Sequence, residues 1–91
     1  MVDKVHCSHI LVKTEQEAKL ILDQLNKGES FSKIATEKST CPSKRKGGDL
    51  GKFGRGQMVR EFERVAFSLQ KGQVSQPIKT EFGWHIIKRS E

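Results

Sequence analysis

Cysteine is scarce in this chain. Cys7 and Cys41 are its two cysteines. They are too few to staple a small secreted domain and do not form a C-x-x-C pair, so two reduced thiols are expected. Long apolar runs are missing as well: none approaches the roughly 20 residues needed to cross a bilayer. Met1 to Lys13 also lacks the basic-then-apolar layout of a secretion signal, which makes the cytoplasm the expected compartment. There is no internal repeat, low-complexity tract or linker-like stretch. A chain of 91 residues has too little surface to bury a second core, so 1–91 reads as one domain.

Acidic residues are outnumbered, eleven Asp and Glu against seventeen Lys and Arg, for a net charge of +6. That balance favours nucleic acid, anionic lipid head groups or acidic protein segments as partners. By itself it argues only for solubility and non-specific attraction. Hydrophobic residues make up 34% of the chain, an ordinary content for a folded globular domain once the glycines are added.

Val5 to Lys13 alternates as a strand, with Val5, Cys7, His9 and Leu11 on one face and His6, Ser8, Ile10 and Val12 on the other. Thr14 and Glu17 have the spacing of a capping box. Ala18, Ile21, Leu22 and Leu25 then recur at helical spacing until Gly28, predicting a helix over 15–27. Ser30 opens a shorter helix over 31–38, which ends ahead of the Cys41-Pro42 break. The basic, then glycine-rich stretch from Lys44 to Gly56 suits a loop feeding a strand around Asp49 to Phe53. Phe62, Val65, Ala66 and Leu69 predict a further helix over 59–69. A brief strand near Val74, a turn at Thr80 to Gly83 and a final strand from Trp84 to Arg89 complete the chain. Strands at both ends with helices between them predict an α+β domain, a small, mostly antiparallel sheet with the two terminal strands at its centre.

That placement bears on the histidines. His9 lies in the first strand and His85 in the last, both among Ile, Leu and Trp. A buried imidazole needs partners, and on adjacent strands the two rings can satisfy one another, as a structural core pair or as part of a site. Thr80 offers a hydroxyl to extend the network. Cys7, His9, Cys41 and His85 are all zinc-ligand types, but structural zinc sites draw on closely spaced pairs and no second short pair exists, so no metal and no cofactor is expected. Neither cysteine carries the local signature of a cysteine hydrolase. KGGDLGKFGRGQM at 46–58 is no phosphate loop: Phe53 follows Gly51-Lys52 where Ser or Thr is required, and Val59 stands where the dinucleotide fingerprint needs glycine. Its glycines are better suited to positive φ or close packing.

CSHILVK at 7–13, GESFSKIA at 28–35, STCPS at 39–43, GGDLGKFGRGQM at 47–58 and FGWHIIK at 82–88 together resemble the parvulin family of peptidyl-prolyl cis/trans isomerases, and the small stand-alone bacterial and archaeal members most of all. The resemblance spans nearly the whole chain and implies a β-α-α-α-β-α-β-β fold acting on X-Pro bonds in unfolded or partly folded proteins. It implies that His9 and His85 lie side by side beneath the site. Cys41 and Thr80 match polar positions of the family, and Leu50, Met58 and Phe62 match its proline pocket, with Phe53 and Phe82 as further substrate-contacting candidates. The arginine-bearing loop of phosphoserine-directed parvulins is missing, and Phe82 stands where those members have a small polar residue, so no need for phosphate before proline is implied. The expected protein is a monomeric folding helper with weak electrostatic contacts to anionic membrane or nucleic acid. The alternative is a non-catalytic binding module on the same fold, with Lys44, Arg45 and Lys46 as its best feature.

Overall fold

A computed structural model describes residues 4–90. In chain order these form β1 (Lys4–Val12), α1 (Glu15–Asn26), α2 (Phe31–Lys38), a 3₁₀ segment (Pro42–Lys46), β2 (Asp49–Gly54), α3 (Arg60–Ser68), β3 (Ile78–Thr80) and β4 (Gly83–Arg89). The strands make one antiparallel sheet in the order β2-β1-β4-β3. The first and last strands are therefore the central pair, matched from Cys7 opposite Arg89 to Val12 opposite Trp84.

Local signals set the helix ends. The Thr14 hydroxyl accepts the Glu17 N–H at 3.2 Å, and the Ser30 hydroxyl accepts the Lys33 N–H at 3.3 Å. Each satisfies an amide that the first turn leaves without a partner. Pro42 occupies the opening turn of the 3₁₀ segment, where its missing N–H costs nothing.

The sheet has a core on each face, as strand alternation requires. Ile10, Val12 and Ile86 pack against Ala18 and Ile21 of α1 and Phe31, Ile34 and Ala35 of α2. Val5, Cys7 and Ile87 pack on the other side with Phe53 of β2 and Phe62 and Ala66 of α3.

The expected strand near Val74 is displaced. Val74 makes only an isolated bridge, to Lys88, and the edge strand lies at Ile78–Thr80. Pro77 has no N–H to offer and breaks the run along β4. At Ser75 the backbone N–H donates to the Ile87 carbonyl, but the Ile87 N–H is met by the Ser75 hydroxyl, at 2.9 Å, in place of a carbonyl.

β2 is shorter than β1, and its pairing stops at Ser8 opposite Asp49. Beyond that point the outer edge of β1 is closed by other groups. Gly48 accepts the His9 N–H at 2.9 Å, and Thr40 donates its N–H to the Leu11 carbonyl at 2.8 Å. Gly48 has φ +87°, and a Cβ there would stand 2.4 Å from the His9 carbonyl oxygen. Both the conformation and the close approach demand glycine.

Gly51 supplies the comparison, with φ +74° and nothing within 4 Å of a built Cβ. Gly51→Ala should cost about 1–2 kcal/mol through backbone conformation alone. Gly48→Ala should cost at least about 2 kcal/mol more, since a backbone carbonyl must also move. Urea unfolding of the two variants measures the difference, and equal losses would contradict this packing of Gly48 on β1.

Candidate active site

Strand alternation places His9 and His85 on the sheet face that α3 covers. His9 is opposite Ile87 and His85 opposite Leu11, so the rings are diagonal neighbours on adjacent strands. They are 5% and 4% exposed. Their Nδ1 atoms are 2.9 Å apart, and the rings lie 20° from parallel. His85 Nε2 is 2.7 Å from the Thr80 hydroxyl, which also accepts the Phe82 N–H at 3.1 Å. Phe62 of α3 meets both imidazoles nearly at right angles, at 5.5 Å between centroids. The result is a chain Thr80–His85–His9 running under an aromatic lid.

Proton accounting restricts this chain. Of two facing Nδ1 atoms in a hydrogen bond, one must carry the proton and the other must not. When His85 donates, its Nε2 is bare and accepts from the Thr80 O–H, and the Thr80 oxygen still accepts from Phe82. When His9 donates, His85 gives its Nε2 proton to Thr80. In both arrangements the rings are neutral and of opposite tautomer. Burial pushes His9 down to about 4, with the neighbouring His85 adding to the effect, and burial alone pushes His85 to about 4. Neither ring carries charge at neutral pH. His9 Nε2 is buried and, among the described residues, has no hydrogen-bond partner.

A cleft of about 360 Å³ opens onto this pair. His9, Cys41, Leu50, Met58, Phe62, Phe82 and His85 line it, so the structure gathers most of the residues singled out from sequence. Thr80 is buried and touches His85 from behind, away from the cleft wall. Phe53 departs from the expectation. It is 3% exposed and packs on Phe62 with centroids 5.9 Å apart. Because it alternates into the α3-side core, it supports the pocket wall and is not among the residues that line the cleft. Phe82, at the β3–β4 turn, is 63% exposed, an apolar ring held out at the rim.

Leu11, Thr40, Pro42 and Val59 also line the cleft, and sequence reasoning had not singled them out. Leu11 was within reach, since it shares the strand face of His9 two residues on. Thr40 and Pro42 flank Cys41, but only the fold shows that this loop lies against β1.

Cys7 is sealed in the core, and burial, partly offset by Arg89, pushes its thiol up to about 11. Among the described residues no three His, Cys, Asp or Glu side chains gather to hold a metal ion. Cys7, His9, Cys41 and His85 therefore do not form the zinc set their types would allow. On the opposite face His6 Nε2 meets Asp49 Oδ1 at 2.5 Å. The Gly51 N–H, then His6, hold the Asp49 carboxyl below its ordinary value.

The family model described as the PPIC-type PPIase domain, or rotamase, matches residues 9–91. The foldase protein PrsA of Geobacillus kaustophilus is 56% identical over 86 residues, covering 93% of this chain but 31% of its own length. The chain thus spans about a third of the curated relatives it matches. The crystal structure of PrsA from Bacillus subtilis superposes with a TM-score of 0.95 at 48% identity, covering 98% of this chain and 35% of that one. The solution structure of NmPin, the parvulin of Nitrosopumilus maritimus, superposes with a TM-score of 0.91 at 51% identity, covering 100% of this chain and 99% of that one. With the paired histidines, the cleft and the sheet order already in place, these likenesses show that the chain belongs to the PPIC-type, or parvulin-type, family of peptidyl-prolyl cis/trans isomerases.

Proposed function

We propose that this isomerase domain speeds rotation about X-Pro bonds by binding the twisted amide in the His9–Cys41–Phe62 cleft. The proposed mechanism has no covalent step and needs no phosphate before proline. The obstacle is kinetic. The trans form is favoured by only about 0.5–1 kcal/mol, but resonance sets a barrier of about 18–20 kcal/mol. Bringing an interconversion of tens of seconds to milliseconds takes about a 10⁴-fold gain, or roughly 5.5 kcal/mol. Twisting the bond breaks resonance, gathers electrons on the imide nitrogen and swings the carbonyl to a new position. A rigid site that prefers this shape lowers the barrier.

The observation that carries the reading is a buried, mutually hydrogen-bonded histidine pair forming the floor of a cleft walled by apolar side chains. Leu50, Met58 and Phe62 would hold the proline ring and strip water from the amide. Cys41 would stand beside the moving carbonyl. His9, His85 and Thr80 would fix the polar floor and its proton pattern, acting through electrostatics and architecture rather than acid–base transfer. Phe82 at the rim favours an apolar residue before proline. The relatives named foldases support a role on proteins that are still folding. Lys44, Arg45 and Lys46, exposed on the 3₁₀ segment, would add weak, salt-sensitive attraction to acidic client segments, and equally to anionic membrane or nucleic acid.

An assay of Leu-Pro peptide isomerisation tests the polar role of Cys41. Aspartate is polar and of comparable size, but a far poorer nucleophile towards an amide. Cys41→Asp should stay within about tenfold of the parent, under roughly 1.4 kcal/mol in the barrier, and Cys41→Ala should lose more. A folded Cys41→Asp protein slowed about a thousandfold, roughly 4 kcal/mol, would point to chemistry on the sulfur.

The histidine pair sets the acid limit of the fold. Folded-state values of about 4 lie below the ordinary unfolded value of 6.5. The unfolded chain therefore binds more protons across that window, and stability falls as pH drops from about 6.5 towards 4. From pH 7 to pH 5 the pair should cost roughly 4 kcal/mol of unfolding free energy, while activity of the folded protein stays flat above pH 5.5. Urea unfolding and peptide turnover across that range check both, and a bell-shaped activity profile centred near 6.5 would assign the rings to proton transfer.

A further inference from the structure

β1 keeps an open edge past the end of β2, and the cleft-lining loop is fastened there by one side chain. Ser39 is 2% exposed, and its hydroxyl oxygen accepts the Leu11 N–H at 3.0 Å and the Cys41 N–H at 3.3 Å. Beside it Thr40 gives its backbone N–H, and its hydroxyl at 3.3 Å, to the Leu11 carbonyl. At the other end of the loop Gly48 accepts the His9 N–H. The segment 39–48 is thus held at both ends to β1, at positions only two residues apart. One anchor is the backbone beneath a histidine of the pair, and the other leads directly into Cys41.

We propose that Ser39 is a positioning residue for isomerisation: its hydroxyl sets where Cys41 stands relative to the histidine floor by tying the Cys41 amide to β1 at Leu11. The inference rests on the isomerase reading with Cys41 beside the moving carbonyl, and it adds a residue that lies outside the cleft wall. A hydroxyl is the right group for the task. It has two acceptor lone pairs for two converging N–H groups, and it is short enough to bring them together in a buried corner. Alanine would leave both amides unpaired, and Leu11 and Cys41 would no longer share a fixed point.

A merely structural serine and a positioning serine differ in how they couple to Cys41. Peptide turnover is measured on the parent, Ser39→Ala, Cys41→Ala and the double variant, each with thermal unfolding as the folding control. Ser39→Ala is expected to lose about tenfold in kcat/KM. In the Cys41→Ala background the same change should cost less than about twofold, because the group it positions is gone. Equal losses in the two backgrounds, or parent-like turnover of Ser39→Ala, would overturn the assignment.

Alkylation by iodoacetamide, read by mass spectrometry, reports on the loop without activity. Cys7 is buried with its thiol pushed up to about 11, so Cys41 is the thiol that reacts. Its rate should change several-fold in Ser39→Ala, and an unchanged rate counts against the anchor. Parent-like turnover of Cys41→Ala alone would be a failure of the functional reading, and the alkylation rate then judges the anchor by itself. Should Ser39→Ala not fold, Ser39→Thr, which keeps the acceptor oxygen, carries the test. It is expected within about threefold of the parent, and a folded Ser39→Thr protein slowed more than about tenfold overturns the proposal.

Discussion

Two imidazoles buried side by side on the central strands of a small sheet can be satisfied only by each other and by what the adjoining strands supply. That constraint organises this molecule. The Nδ1–Nδ1 bond fixes the register of β1 against β4 on the α3 face, since a one-residue slip would send one ring to the opposite core. It also recruits Thr80 from the edge strand and makes Phe62 a cover for both rings. A buried polar network is favourable only when its members are paired. His9 Nε2, buried next to the cleft, is an end of the network left without a partner among the described residues. The stability of the central strands and the character of the cleft floor are therefore one property.

The second constraint is geometric. Because β2 pairs with β1 only as far as Ser8, the upper edge of β1 is free to hold a loop in place of a strand. The cleft forms where the sheet is incomplete. A longer β2 would seal the Leu11 amide and carbonyl into a ladder and leave no room for Cys41. Gly48, Ser39 and Thr40 close that edge with a carbonyl, a hydroxyl and an N–H. The His9 and Leu11 N–H groups and the Leu11 carbonyl are thus met without a strand, and the Cys41 side chain is left lining the cleft.

Most of this was legible in the residues, for reasons that can be named. Period-two alternation through His9 and His85, both flanked by large apolar side chains, placed the rings on strands buried on two faces. The caps at Thr14 and Ser30 placed α1 and α2 to within a residue. Three features were hidden, two of them because they depend on partners far away in sequence. Phe53 sits in a motif shared with cleft residues, but its alternation on β2 turns it inward against Phe62, which only the pairing of Val5 with Phe53 reveals. Val74, a strand former, predicts an edge strand at its own position. Pro77 and the Ser75 hydroxyl move the regular pairing on to Ile78–Thr80. The role of the Cys41 loop likewise follows from where β2 ends, and no local pattern encodes that.

Nitrogen-15 spectra of the imidazole rings, recorded from pH 7 down to pH 4.5, examine the histidine pair without recourse to activity. Each ring nitrogen reports whether it carries a proton. His9 and His85 are expected to remain neutral until close to pH 4. They should also show opposite states at Nδ1, one protonated and one bare. Two rings of the same tautomer, or either ring gaining its proton near the ordinary value of about 6.5, would contradict a neutral, mutually hydrogen-bonded floor beneath the cleft.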